Sequence, residues 1–239
     1  MLPKISQPIF ELELPSNSKK ISCRPYSVKE DKILLMAAES DDPKEMAAAT
    51  RQIINNCVLD EGFDCLDLPI FDADYIFMHI RAKSVGEKIK QNYTCNNKVN
   101  GVECGSKFSI EINLNEVQLV RDESIKDQIY LTPELGVKMK YPSYKITSSI
   151  LDSDNDLDQT LKTLYGSIEY IFDKDQTYQM KETSYDEFLT FINDLTKDQF
   201  EKLTGFIEST PYFEIKKEHK CEKCGFLHEF KFDDPLSFF

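Results

Sequence analysis

Residues 93–114, YTCNNKVNGVECGSKFSIEINL, and residues 216–234, KKEHKCEKCGFLHEFKFDD, carry one local pattern twice. Each stretch holds two cysteines, and in each the second cysteine is followed by glycine and then by alternating apolar residues. Aligning Cys104-Gly105 with Cys224-Gly225 brings Phe108, Ile110 and Ile112 onto His228, Phe230 and Phe232. Such alternation marks a strand with one buried face. Glycine directly after cysteine permits the positive φ that turns backbone amides toward a sulfur. Cys221 and Cys224 have the two-residue spacing of a knuckle that grips a cation. Eight residues separate Cys95 from Cys104, but they include Asn100-Gly101, the pair preferred in a two-residue hairpin turn, so a small excursion returns the chain to its starting point. Together the halves form one zinc ribbon, with Cys95, Cys104, Cys221 and Cys224 around a tetrahedral, structural Zn2+ that has no open position. Two readings compete with it: four separately buried cysteines, and a redox pair made of Cys221 and Cys224.

Outward from the knuckles, the fold class reads as α+β. The first ninety residues suggest a strand pair and three helices: PIFELELPSNSKKISCRPYSV, a helix begun by a capping box at Ser27 and Glu30, a second begun by Asp42 and Pro43, and a third capped by Asp72 and ended near Gly86. From Lys88 the pattern changes to strands, including a hairpin that turns through Pro133 to Gly136. The acidic run LDSDNDLDQT then leads into a helix expected to reach about Phe172, and capping boxes at Ser184 and Thr196 open two more. Pro211 ends that pair, and YFEIKKEHK returns to extended chain. The divisions expected are 1–87, a strand pair with three helices, and 88–239, a zinc-ribbon domain with a helical insertion near 145–210 between the ribbon halves.

Composition narrows function. The chain has 239 residues, 41% hydrophobic and 30% charged, which is enough to build a core. Its net charge of −13 opposes the phosphate neutralisation on which nucleic-acid binding rests. Lys98, Lys107, Lys216, Lys217, Lys220, Lys223 and Lys231 nevertheless gather near the knuckles, so a zinc-ribbon nucleic-acid-binding module is the alternative function. A thiol oxidoreductase using Cys221 and Cys224 is the third hypothesis. No signal peptide or membrane span is expected from the N-terminus MLPKISQPIF or from any apolar run, which places the chain in cytosol with reduced thiols.

Other signals carry less. Asp152, Asp154 and Asp156 have EF-hand spacing, but Leu157 and Thr163 stand where the loop needs Gly and Glu, so an acidic helix start explains them. Cys23, Cys57 and Cys65 read as buried small residues and His79 as a packed one. His219 and His228 flank the second knuckle as spare ligands. The sequence holds no phosphate loop, nucleophile elbow or His-Glu-x-x-His pattern, and no catalytic residue is assigned.

Over the first 115 residues the chain resembles the baseplate hub family of T-even-like tailed bacteriophages. The resemblance runs through ELELPSNSKKISCRPYSVKEDKILLMA, QIINNCVLD, DADYIFMHIRAKSVGE and SIEINLNEV, and the closing Cys-x2-Cys fits it. It implies a non-enzymatic phage tail protein that works through contacts with other baseplate or tail proteins, as a hub subunit or an assembly chaperone. It also implies a late protein found in the host cytoplasm during assembly and in the virion tail baseplate. Within HIRAKSVGE, Arg81 and Ser84 are the expected partner-binding residues. Their i, i+3 spacing near a helix end also suits a structural cap.

Overall fold

The computed structural model describes residues 5–151 and 155–233, so Asp152 and Asp154 of the acidic run lie outside the described residues. The architecture is α+β, with small antiparallel sheets and helices grouped around three apolar cores.

The chain opens with β1 (Phe10–Glu13) paired to β2 (Lys20–Cys23), Phe10 opposite Cys23. Helices α1 (Val28–Ser40), α2 (Pro43–Cys57) and α3 (Ile70–Val85) follow. The Asp42 carboxylate accepts from the Lys44 amide at 2.9 Å, satisfying one of the donors left over at the start of α2. At the start of α1 the backbone amide (2.8 Å) and hydroxyl of Ser27 donate to Glu30. The Arg24 guanidinium reaches the other Glu30 oxygen at 3.0 Å and the Asn56 carbonyl at 2.9 Å, joining α1 to the end of α2.

Asp72 departs from its expected role. The helix begins two residues earlier, at Ile70, and Asp72 lies fully buried in its first turn. Its carboxylate accepts from the Ser16 amide at 3.0 Å and from the Ser16 hydroxyl. A long-range demand, two donors in the β1–β2 turn, takes the side chain that a local reading assigns to capping.

α3 is apolar on two faces because it separates two cores. Ala73, Ile76, Phe77 and Ile80 pack with Leu14, Ile21, Ile53 and Ile54 of the preceding elements. Phe71, Met78 and Ala82 pack the other way, against Ile89, Ile110, Ile112, Phe213 and Ile215. Those partners come from β3 (Lys88–Thr94), from β6 (Lys107–Asn113) and, much later in the chain, from β12 (Tyr212–Lys220). Between β3 and β6 stands a short hairpin of β4 (Lys98–Val99) and β5 (Val102–Glu103), with Asn100 and Gly101 both at positive φ (53° and 82°), as a two-residue turn of this kind requires. β7 (Gln118–Val120) pairs with the start of β12.

The intervening segment holds the hairpin expected to turn through Pro133 to Gly136 and four helices, and it departs from expectation in two further strands, 168–172 and 177–179, that extend the hairpin into a sheet. It carries its own four-stranded sheet, in the order β11 (Thr177–Gln179), β10 (Ile168–Phe172), β9 (Gly136–Met139), β8 (Gln128–Tyr130). Around it lie α4 (Tyr144–Ile150), α5 (Asp156–Ser167), α6 (Tyr185–Asn193) and α7 (Lys197–Glu208). The helix expected to reach Phe172 stops at Ser167, and Ile168–Phe172 is a strand. Its sequence, IEYIF, is β-branched and aromatic, which suits a pleated surface better than a helix. Val137, Met139, Leu164, Phe188, Leu203 and Phe206 fill this third core. The capping boxes at Ser184 and Thr196 open α6 and α7 as expected. β13 (Leu227–Phe232) pairs with β12 and closes the described chain.

Burial pushes the Glu30 carboxyl up, but hydrogen bonds from Ser27 and Arg24 outweigh it and hold it at about 2, below the usual 4.5. A depressed carboxyl contributes stability above its unfolded value and loses it as pH falls toward its folded value. Glu30→Gln is therefore expected to cost about 2–3 kcal/mol at pH 7. The gap to the wild type should close between pH 4.5 and 2. Urea denaturation of both proteins at pH 7 and pH 3 checks this.

Candidate metal centre

The two repeated stretches fold into two hairpin ends that share one hydrogen-bond scheme. In the first, Thr94 lies opposite Lys107 at the end of β3–β6; in the second, Lys220 lies opposite Leu227 at the end of β12–β13. One residue further on, the Cys95 amide donates to the Ser106 carbonyl and the Cys221 amide to the Phe226 carbonyl, both at 2.8 Å. Gly105 then donates to the Cys95 carbonyl at 3.0 Å, and Gly225 to the Cys221 carbonyl at 2.8 Å. Both glycines are at positive φ (64° and 72°), where a side chain would be strained. The β4–β5 hairpin accounts for the longer spacing of the first pair, and the Cys104 amide closes it by donating to the Asn97 carbonyl at 2.8 Å.

These ends face each other. The sulfurs of Cys95, Cys104, Cys221 and Cys224 all lie within 4.8 Å of one another. Cys95 Sγ is 3.6 Å from Cys224 Sγ, and Cys104 Sγ is 3.8 Å from Cys221 Sγ. None of the four is in a disulfide. Sulfurs about 2.3 Å from a central tetrahedral ion stand about 3.8 Å apart, so these gaps fit four thiolates around one metal. The donor set is soft and closed, and three of its four members are buried. The structure thus brings together every cysteine that the spacing nominated. It leaves Cys23, Cys57 and Cys65 elsewhere, each fully buried, with burial pushing their thiols up to about 12, 11 and 12.

Without a cation the four thiols divide. Backbone amides of Cys224 and Lys223 pull Cys221 down to about 6, and the Phe226 amide with the Asn97 side chain lowers Cys224. Burial pushes Cys95 up to about 12. For Cys104 the Ser106 amide pulls down, but burial and the neighbouring thiols Cys224 and Cys221 outweigh it and the thiol is raised. A divalent ion removes that division, since a coordinating thiol gives up its proton.

The sequence reading missed the polar partners of these sulfurs. His228 Nε2 lies 3.2 Å from Cys95 Sγ, and the Asn97 amide nitrogen lies 3.6 Å from Cys224 Sγ. Such outer contacts fix and tune ligands. The signal was present in the alignment, because His228 stands four residues after Cys224 as Phe108 stands four after Cys104. The two rings meet with centroids 5.2 Å apart, and Phe108 also stacks on His219 at 4.0 Å.

The nearby lysines are largely committed. Lys223 Nζ donates to the Cys104 carbonyl at 2.7 Å. Lys216 pairs with Glu214, Lys217 with Glu116, and Lys231 with Asp233.

A sequence profile described as T4 bacteriophage base plate protein matches residues 7–239. The chain belongs to that family. Searches of curated proteins and of solved structures each returned no significant match. As a baseplate protein it has its role in the phage tail, and its family implies other tail or baseplate proteins as partners. Among the described residues no helix is long and apolar enough to cross a membrane.

Arg81 and Ser84 lie at the end of α3, away from the sulfurs. The Ser84 hydroxyl donates to the Ile80 carbonyl at 2.6 Å and accepts the Tyr26 amide at 2.8 Å, fixing the approach to α1. Arg81 is partly buried and donates to the Gly86 carbonyl at 3.2 Å. Burial lowers its pKa.

A metal bound by the four sulfurs would reverse an otherwise simple ranking of serine substitutions. Cys57 is in the core and Cys224 is partly exposed, so in a metal-free protein Cys57→Ser costs more, about 1–3 kcal/mol. With metal bound, Cys224→Ser forfeits part of a site whose gross binding is roughly 10–16 kcal/mol in isolated fingers, and it becomes the worse variant. Thermal melts of both variants and the wild type, with and without chelator, distinguish the two cases. The expected order is Cys224→Ser below Cys57→Ser, with the wild type falling on chelation.

Proposed function

We propose that this baseplate protein acts by protein–protein contact in building the central hub of the baseplate, and that a structural Zn2+ in a zinc ribbon holds it in shape. The observation that carries the reading is the four-sulfur cluster in a chain that belongs to a baseplate family over nearly its whole length. A tetrathiolate zinc has no open position for a substrate and ties together distant parts of a chain. In this reading Cys95, Cys104, Cys221 and Cys224 are the ligands. The segment between the ribbon halves is then clasped at its base and presented as one rigid body to its neighbours. The protein works in the host cytoplasm while tails assemble. Arg81 contributes its helix end to docking, and Ser84 supports that end by holding Tyr26 in place.

The nucleic-acid reading loses ground on the same surface. Three knuckle lysines face carboxylates and a fourth faces a backbone carbonyl. A zinc held by four thiolates also adds two negative charges there, which opposes phosphate binding.

The test is purification of the tagged chain from phage-infected cells treated with nuclease. Hub components of the baseplate should co-purify from cells making the wild type and be lost with Cys224→Ser. A wild-type chain that brings down nucleic acid, with association weakening steeply as salt rises, would favour the alternative and count against this proposal.

A further inference from the structure

α1 is poorly covered for a helix of its composition. Of its thirteen residues only Glu30, Leu34 and Ala37 are buried. At 100° per residue, Val28, Lys32, Leu35 and Glu39 share the face opposite those three, with Met36 beside them. Val28, Leu35 and Met36 are 72%, 58% and 71% exposed. At the centre of this apolar stripe stand one positive and one negative charge, Lys32 and Glu39, with Lys29 at its edge beside Met36; all three are exposed, and among the described residues neither Lys32 nor Glu39 has an ion-pair partner.

The placement of those charges selects the occupant. Lys32 and Glu39 lie equally far, in opposite directions, from the point between Leu35 and Met36. A twofold axis through that point runs a second α1 antiparallel to the first. Each Lys32 then faces Glu39 of the other copy, and Leu35 and Met36 of both copies meet at the axis. A parallel pair would oppose like charges. A foreign helix would need both charges at matching positions, whereas a second copy supplies them by symmetry.

We propose that the outer face of α1 is the surface through which two copies of this chain associate, antiparallel about that twofold axis. The contact spans one helix of about 20 Å, so it makes a weak, reversible dimer that forms with rising concentration rather than an obligate one. This proposal is independent of the metal centre and of the hub assignment.

Sedimentation velocity over a concentration series, with Lys32→Glu and Glu39→Lys prepared as separate proteins, tests it. The wild type should shift from monomer toward dimer as concentration rises. Each variant alone should associate at least about tenfold more weakly, because every cross-copy pair becomes repulsive. An equimolar mixture of the two should dimerise again, since one chain then presents carboxylates at both positions and the other presents ammonium groups. Circular dichroism melts should match the wild type, both positions being solvent-facing. The proposal is overturned if the wild type stays monomeric at every concentration, if the single variants dimerise as well as it does, or if the mixture fails to recover. Wild-type monomers that bind a different baseplate protein through this face would overturn it as well.

Discussion

Four sulfurs placed where they can share one ion bring two distant hairpin ends of this protein together. Cys95 and Cys104 come from one hairpin end, Cys221 and Cys224 from another, and more than a hundred residues run between them. Closing a loop of that length costs entropy that grows only slowly with length, so one strong local interaction can offset it. The two ends reach each other because each makes the same pair of backbone hydrogen bonds around a glycine at positive φ. Aromatic and histidine rings just below, Phe108, His219, His228 and Phe230, pack the two hairpins together and bring a polar atom to Cys95.

α3 carries that constraint into the rest of the molecule. One of its faces belongs to the N-terminal core and the other packs on β3, β6 and β12, the strands that lead to the sulfurs. Residue 88, where the sequence pattern changes, therefore falls where β3 begins, beside a helix that serves the cores on both sides. The third core, around β8–β11 and α5–α7, is filled by its own residues, with Tyr141 packing against both it and the core between α3 and β12.

What could be read from the sequence was what local chemistry determines. The knuckles, the Asn100-Gly101 turn and the caps at Asp42, Ser184 and Thr196 follow from residue type and spacing, and the structure has them where expected. The errors came from distant partners. Asp72 looked like a cap because its two donors on Ser16 lie 56 residues away. Ile168–Phe172 looked like helix because α5 runs straight into it, and its strand character depends on pairing with β9 and β11. The contact of His228 with Cys95 could not be read locally either, because it spans 133 residues. Exposure on α1 was equally hidden, since a stripe of Val28, Leu35 and Met36 reads as core until the packing is known.

The central claim is that the four cysteines hold one zinc. X-ray absorption at the zinc edge on natively purified protein tests it most directly, because it reports metal identity, ligand type and distance together. The account predicts about one zinc per chain with four sulfur neighbours at about 2.3 Å and no lighter ligand. Metal-free native protein, or a zinc with nitrogen or oxygen in place of one of the sulfurs, would contradict it.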